Sequence, residues 1–310
     1  MLIGTKVDES IGRLTADDWI EQTRAAAAAG FSSIWSTQLF HWDALTMLAV
    51  AGRAVPGVAL GTAIVPTYPR HPLMLASQAL TVQAVIGNRL SLGIATGAQF
   101  IIEHHFGYSF AKPARHLREY VAVLAPLLRG ESVSYQGETL KVTGEISIPG
   151  AEPPSLLLGA LGPLMLTLAG EMADGTLTAL TGPTALANYV VPTITRAAEA
   201  AGRPAPRVVA GVSVSVTAGV EQARALYAEQ TGFLGQMPVY RAMLDREGVT
   251  NVEEIAIVGD ETTVERELRR YADAGASEVI ASAFGPDDDR ARTIALLGDL
   301  APKAAVLHDA

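Results

Sequence analysis

The chain has 310 residues, a formal net charge of -9 and no cysteine. A length of this order suits one large α/β barrel or two ordinary domains, and 49% hydrophobic against 18% charged residues excludes a disordered chain. The negative balance speaks against non-specific binding to nucleic acid or an anionic membrane, and the missing cysteines remove disulfides, thiolate nucleophiles and zinc–cysteine sites.

Met1 runs straight into a first strand, Leu2–Lys6, without the charged and long apolar regions of a signal peptide, which predicts a cytoplasmic protein. Thr15-Ala16-Asp17-Asp18 reads as a capping box opening a helix to Ala29, with Gly30 free to end it in the left-handed region. A strand at Ser32–Ser36 leads into Thr37–Asp43. There Gln38 and His41 stand among Phe40 and Trp42, as groups that hydrogen-bond a heterocycle beside stacking rings, or else Asp43 caps a helix and the aromatics are core. The next strand, Val58–Val65, precedes Pro66, Pro69 and Pro72. Arg70 and His71 supply local positive charge for a substrate or anion there, the alternative being a solvated turn with Pro72 at the first helical position.

Leu90–Ala95 is followed by Thr96-Gly97-Ala98-Gln99, then by Glu103, His104, His105 and Tyr108. Glu103 is a candidate acid or base as well as a plain surface carboxylate. Adjacent histidines diverge, so no metal site is expected. Phe100, Ile101, Ile102, Phe106 and Tyr108 read as an apolar substrate wall or as helix core. Over 114–129, Leu117, Tyr120, Val121, Leu124 and Leu128 have helical spacing, with His116 and Glu119 assigned to an exposed face. An interval at 130–154 holds two short strands around a Gln-Gly-Glu turn. Ser155–Ala160 then leads through Gly159, Ala160, Leu161 and Gly162 to Pro163, a glycine-rich approach to a helix start that suits a phosphate. Strands follow at Gly175–Ala179 and Val208–Val216. A second interval, 219–258, holds helices near 219–233 and 238–247. Thr262–Glu265 caps a further helix ended by Gly275, Glu278–Ala283 is the eighth strand, and Asp287–Asp289 opens the last helix.

Eight β-rich runs, each followed by a helical pattern, predict parallel βα units. A doubly wound open sheet competes, but the first turn, Val7–Leu14, has one glycine and no G-x-G-x-x-G. The reading is a TIM-type (β/α)8 barrel spanning 1–310 as one domain, with the two intervals as excursions and ligands bound after the strands. No phosphate loop, zinc helix or nucleophile elbow is present.

Ala29–Trp35, Leu60–Ala63 through Arg70-His71-Pro72, Asn88–Gly97, Gly162-Pro163 through Gly170, Ala173-Asp174-Gly175 and Ile257–Asp260 together resemble the luciferase-like monooxygenase superfamily, in particular its coenzyme F420 (deazaflavin) branch. The resemblance implies an oxidoreductase moving a hydride to or from a small organic substrate, often as a homodimer. It implies a cis peptide at Ala63–Ile64, and cofactor contacts at Gln38, Thr62, Ala63, Ile64, Pro66, Thr96, Gly97, Ala98, Gln99 and Gly159 to Gly162. Members acting on sugar phosphates carry an Asp-His pair where this chain has Gln38 and Leu39, and a carboxylate where it has Ala98; a sugar-phosphate mechanism is therefore not expected. The alternatives are an FMN-dependent monooxygenase on the same scaffold and a deazaflavin-binding protein without catalysis.

Overall fold

A computed structural model describes residues 1–7 and 14–302. Most of the Val7–Leu14 turn lies outside the described residues. The barrel strands are β1 (Leu2–Lys6), β2 (Ser33–Ser36), β3 (Ala59–Thr62), β4 (Leu90–Ala95), β5 (Ser155–Gly159), β6 (Gly175–Ala179), β7 (Arg207–Val216) and β8 (Glu278–Ala283). Each pairs in parallel with the next, and β8 pairs with β1, which closes a (β/α)8 barrel. Closure removes both sheet edges, and the alternation of strand and helix supplies the helical outer ring.

The helices start and stop where local chemistry dictates. Thr15 accepts from Asp18 N while the Asp18 carboxylate accepts from Thr15 N, and Gly30 at φ 99° ends the Ala16–Ala29 helix. The helix 113–128 buries Leu117, Tyr120, Val121 and Leu124 as its spacing requires. The helix after 260 is capped two residues earlier than expected: Asp260, not Thr262, accepts from Thr263 N at 2.8 Å, because a carboxylate outcompetes a hydroxyl at that terminus.

The strand expected at Val58–Val65 is interrupted. The Ala63–Ile64 peptide is cis, β3 stops at Thr62, and a two-residue piece, Val65–Pro66, resumes pairing with Ile94 and Ala95 of β4. In the first excursion, Val133–Gln136 and Lys141–Gly144 form an antiparallel hairpin. The second carries helices Val220–Thr231 and Pro238–Glu247, then a short strand, Ile257–Gly259, on the end of β7.

His116 and Glu119 are not on an exposed face. Both are buried, at 9% and 7% exposure. His116 Nε2 lies 3.0 Å from Thr67 Oγ1, and its ring stacks on Tyr68 with centroids 3.9 Å apart. Glu119 accepts from the backbone N–H groups of Glu138, Thr139 and Leu140 and from the Thr139 hydroxyl, so one carboxylate holds the hairpin turn. Burial pushes the Glu119 carboxyl up, but these bonds outweigh it and hold it below the usual range.

Candidate active site

The barrel interior changes character along its axis. At its N-terminal floor, Arg207 Nη2 meets Glu278 at 3.0 Å, while Nη1 donates to Ser91 and Ser155. Glu278 also accepts from Ser33 and from Trp35 Nε1. Above this plug lies an apolar layer of Trp35, Leu157, Leu177, Val209 and Ile280. Gly61 belongs to it by necessity, since a Cβ there would lie 2.4 Å from the Trp35 ring.

The next layer, at the C-terminal strand ends, is built of small groups. Side chains two apart on a strand share a face, so Ala95, Gly159, Ala179, Gly211 and Ser282 face the axis above Gly93, Leu157, Leu177, Val209 and Ile280. Ala63 and Ile64 join them, partly buried and packed against the Trp35 layer. Ala179 is exposed although it sits on a barrel strand, which marks an open dish rather than a filled core. A Cβ on Gly159 would come within 3.0 Å of Ala95 Cβ and 3.3 Å of Ile64 Cγ2, so the flat floor depends on that glycine. Two cavities of about 380 and 490 Å³ lie elsewhere, among the second excursion and the outer helices. The dish is the stronger candidate because the strand ends converge on it.

Around the dish the sequence candidates fall into groups. Gln38 has its polar atoms engaged: Oε1 accepts from Ala44 N and Arg70 Nη2, Nε2 donates to Leu39 O, and the backbone N–H donates to Ile64 O. Arg70 pairs with Asp43 and bonds Gln78, so it braces the rim instead of presenting a free cation. Asp43 caps the Ala44–Ala54 helix; burial raises its carboxyl, and the bonds from Arg70 and Thr46 bring it below the usual range. His71 is likewise a helix cap, with Pro72 at the first position. Thr62 is fully buried, and its hydroxyl, bonded to Gly93 O and N, ties β3 to β4. His41 is exposed on the rim.

After β4, Thr96 is nearly buried and Gly97 takes φ 80°, where a Cβ would press on Ile102 and Pro66 at 3.3–3.4 Å. Ala98 O accepts from Ile102 N, which opens a π-helical turn at Ile101–His105. Glu103 is exposed and pinned by Gln99 Nε2 and Phe110 N. The apolar run divides: Ile102 is core, whereas Phe100, Phe106 and Tyr108 are exposed, the first two beside Phe40 and His105, whose rings lie 4.8 Å apart. After β5, Ala160 and Leu161 are buried, and Gly162 caps the Pro163–Met172 helix with no side-chain bond. Its first-turn N–H groups keep the open geometry that an anion fills. No group of three or more metal-binding side chains occurs among the described residues.

Residues 1–278 match the family model described as luciferase-like monooxygenase. The chain belongs to this family. A 5,10-methylenetetrahydromethanopterin reductase of Methanopyrus kandleri is 26% identical over 316 residues, covering 86% of this chain and 89% of that one. A Mycobacterium tuberculosis protein named as a candidate coenzyme F420-dependent oxidoreductase is 28% identical over 320 residues, covering 87% and 92%. Among solved structures, that of the coenzyme F420-dependent reductase from Methanopyrus kandleri superposes with a TM-score of 0.82 at 24% identity, covering 96% and 97%. An FMN-bound Baeyer–Villiger monooxygenase component from Pseudomonas putida reaches 0.75 at 16%, covering 98% of each chain. Both structures share the fold. Family membership makes this luciferase-like chain an oxidoreductase by class.

Two features of the site are missing from the sequence reading. The periodicity at 113–128 does not reveal that His116 and Glu119 face inward, because their partners Thr67 and Thr139 are remote in sequence. Strand alternation, in contrast, could have flagged Lys6 as inward-facing.

Proposed function

We propose that the protein is a coenzyme F420-dependent oxidoreductase that transfers a hydride to or from a small organic substrate. The dish carries this reading: a flat, small-residue floor at the barrel's C-terminal end, next to a helix start with no side-chain cap. Ala63, Ile64 and Gly159 would hold a planar tricyclic ring, the backbone at Gly97 and Ala98 would flank its side chain, and Gly159 to Gly162 with the helix start would receive its phosphate. Bound there, the deazaflavin supplies the hydride. The protein's own groups orient it: Gln38, Arg70 and Asp43 stiffen one rim, and the Glu103–Gln99 pair the other. Phe40, Phe100, Phe106 and Tyr108 provide an apolar wall for the substrate. The names of the similar proteins favour deazaflavin over FMN.

The reading includes a cytoplasmic homodimer. Helix Pro72–Ile86 contains no charged residue, yet Met74 and Val85 on it are exposed, as is Val50 on the neighbouring helix; exposed apolar side chains on an uncharged helix call for cover. No helix among the described residues is long and apolar enough to cross a membrane.

Titration of the purified protein with oxidised coenzyme F420 and with FMN, followed by ligand fluorescence, tests the cofactor. F420 binds at micromolar concentration or below and FMN at least tenfold more weakly, a difference of about 1.4 kcal/mol. The reverse order, with oxygen consumed in the presence of reduced flavin, moves the enzyme to the FMN monooxygenase reading. Binding of neither overturns both. Tight F420 binding with no turnover over a broad substrate panel marks a non-catalytic binding protein.

A further inference from the structure

Among the described residues, the inward-facing positions of the dish include one charged side chain, contributed by β1. Gly4 faces the barrel axis: a Cβ built there would lie 2.1 Å from Ser33 Oγ and 2.9 Å from Trp35 Nε1. By the two-residue period of a strand, Lys6 faces the axis as well, one layer higher. The register agrees, since Lys6 pairs with Trp35 and the Gly4–Ile280 pairing sets Lys6 level with Ser282. Lys6 is exposed although it ends a barrel strand, so it stands in the open dish and not in the packed interior. The other inward positions at this level, Ala63, Ile64, Ala95, Gly159, Ala179 and Gly211, are uncharged.

The residue type carries the argument further. The chain has four lysines against 19 arginines. Lys112 is paired with Glu138, Lys141 is exposed on the hairpin, and Lys303 is outside the described residues. Among the described lysines, the one in the dish is therefore singular in place. An ammonium can give up a proton under the conditions in which an arginine does not.

We propose that Lys6 is the cationic group of the reaction centre, contacting the oxygen or nitrogen of a polarised C=O or C=N bond in the substrate and giving it a proton as a hydride reaches the carbon. This inference rests on the deazaflavin reading. In the reducing direction, a C–H bond of the reduced deazaflavin breaks and its hydride forms a new C–H bond at the substrate carbon. The π electron pair moves to the heteroatom, and an N–H bond of Lys6 breaks to protonate it. The cofactor loses two electrons and the substrate gains them; Lys6 recovers its proton from water. In the oxidising direction the neutral amine accepts the proton.

The test uses the full chain. Acetic anhydride labelling, read by mass spectrometry at each lysine, is run with and without saturating oxidised F420, and binding is followed separately by fluorescence. The expected result is at least tenfold slower labelling of Lys6 with F420 bound, while Lys112 and Lys141 keep their rates within twofold. F420 bound with Lys6 labelling unchanged overturns the inference and leaves the cofactor reading intact. No F420 binding overturns the cofactor reading, and the inference with it. A second arm measures single-turnover hydride transfer from reduced F420 to simple ketones, aldehydes and cyclic imines. Lys6→Met slows it at least 100-fold with F420 affinity unchanged within threefold, and Lys6→Arg loses less. Transfer by Lys6→Met at the wild-type rate overturns the inference.

Discussion

The two ends of the barrel interior use charge in opposite ways. At the floor, Arg207 and Glu278 meet each other, and three serines and an indole bond to the pair. At the mouth, side chains shrink to alanine, glycine and serine, and the charged position, Lys6, is exposed. A closed polar network rigidifies a core and fixes its register; a shallow dish with an exposed charge offers an approaching molecule both surface and chemistry. Arg70, paired with Asp43 and bonded to Gln38 and Gln78, is architecture of the same kind as the floor.

The sharpest way to break the comparison is at the floor. Glu278→Ala strands the Arg207 guanidinium against Ser91 and Ser155 with no counter-charge. Removing one partner of a buried pair costs about 3–5 kcal/mol, and the lower end applies because Arg207 is one-third exposed. The midpoint of urea unfolding should fall accordingly, with F420 affinity of the folded protein unchanged within threefold. A loss of affinity without a loss of stability would mean that the floor serves the ligand. Next in size is Glu119→Ala. It leaves the N–H groups of Glu138, Thr139 and Leu140 without their acceptor and costs about 2 kcal/mol, again without effect on the cofactor. The mouth should respond the other way round. Gly159→Val pushes methyl groups past Ala95 and Ile64 into the dish. F420 binding by the folded protein should weaken at least tenfold, about 1.4 kcal/mol, with a smaller fall in the unfolding midpoint than Glu278→Ala causes, because Ala95 and Ile64 must give way. Unweakened binding by this variant would remove the dish as the cofactor's seat.

The architecture was legible in the sequence because it rests on local patterning. Eight β-rich runs, the capping box at Thr15–Asp18 and the glycines at Gly30 and Gly275 each act within a few residues. Element boundaries shifted where a competing group acted, as at Asp260, or where the backbone broke, as at Ala63–Ile64. The site was less legible because side-chain destinations depend on contacts between distant segments. Gln38 and Arg70 read as ligand groups in isolation, but they are 32 positions apart and bond each other. The bond from the Thr62 hydroxyl to Gly93, 31 positions away, is equally invisible in the sequence. Lys6 went unremarked because a lysine at a strand end reads as a solvated terminus until the barrel closes and gives its face a meaning.

The smallest effect belongs to His116, which lies between the two categories: a titratable group enclosed by protein but close to the mouth's rim. Thr67 Oγ1, the Tyr68 ring and the Tyr120 ring surround it. Burial lowers its pKa, and the nearby Glu119 carboxylate offsets part of that. The folded state therefore favours the neutral ring. Below the unfolded value of about 6.5, the unfolded chain binds a proton that the folded chain resists, so stability falls as pH drops through that value. The loss is bounded at about 1.4 kcal/mol per pH unit for one group, and the partial offset by Glu119 keeps it under that bound. His116→Phe retains the stacked ring and removes the titration. Its unfolding free energy should be flatter than wild type between about pH 7 and 5, a window chosen to stay above most carboxylate titrations. Equal slopes for the two proteins would show that the ring already takes up its proton while enclosed; the stack on Tyr68 would then hold an imidazolium, and the pocket would belong with the mouth's open chemistry and not with the floor's closed one.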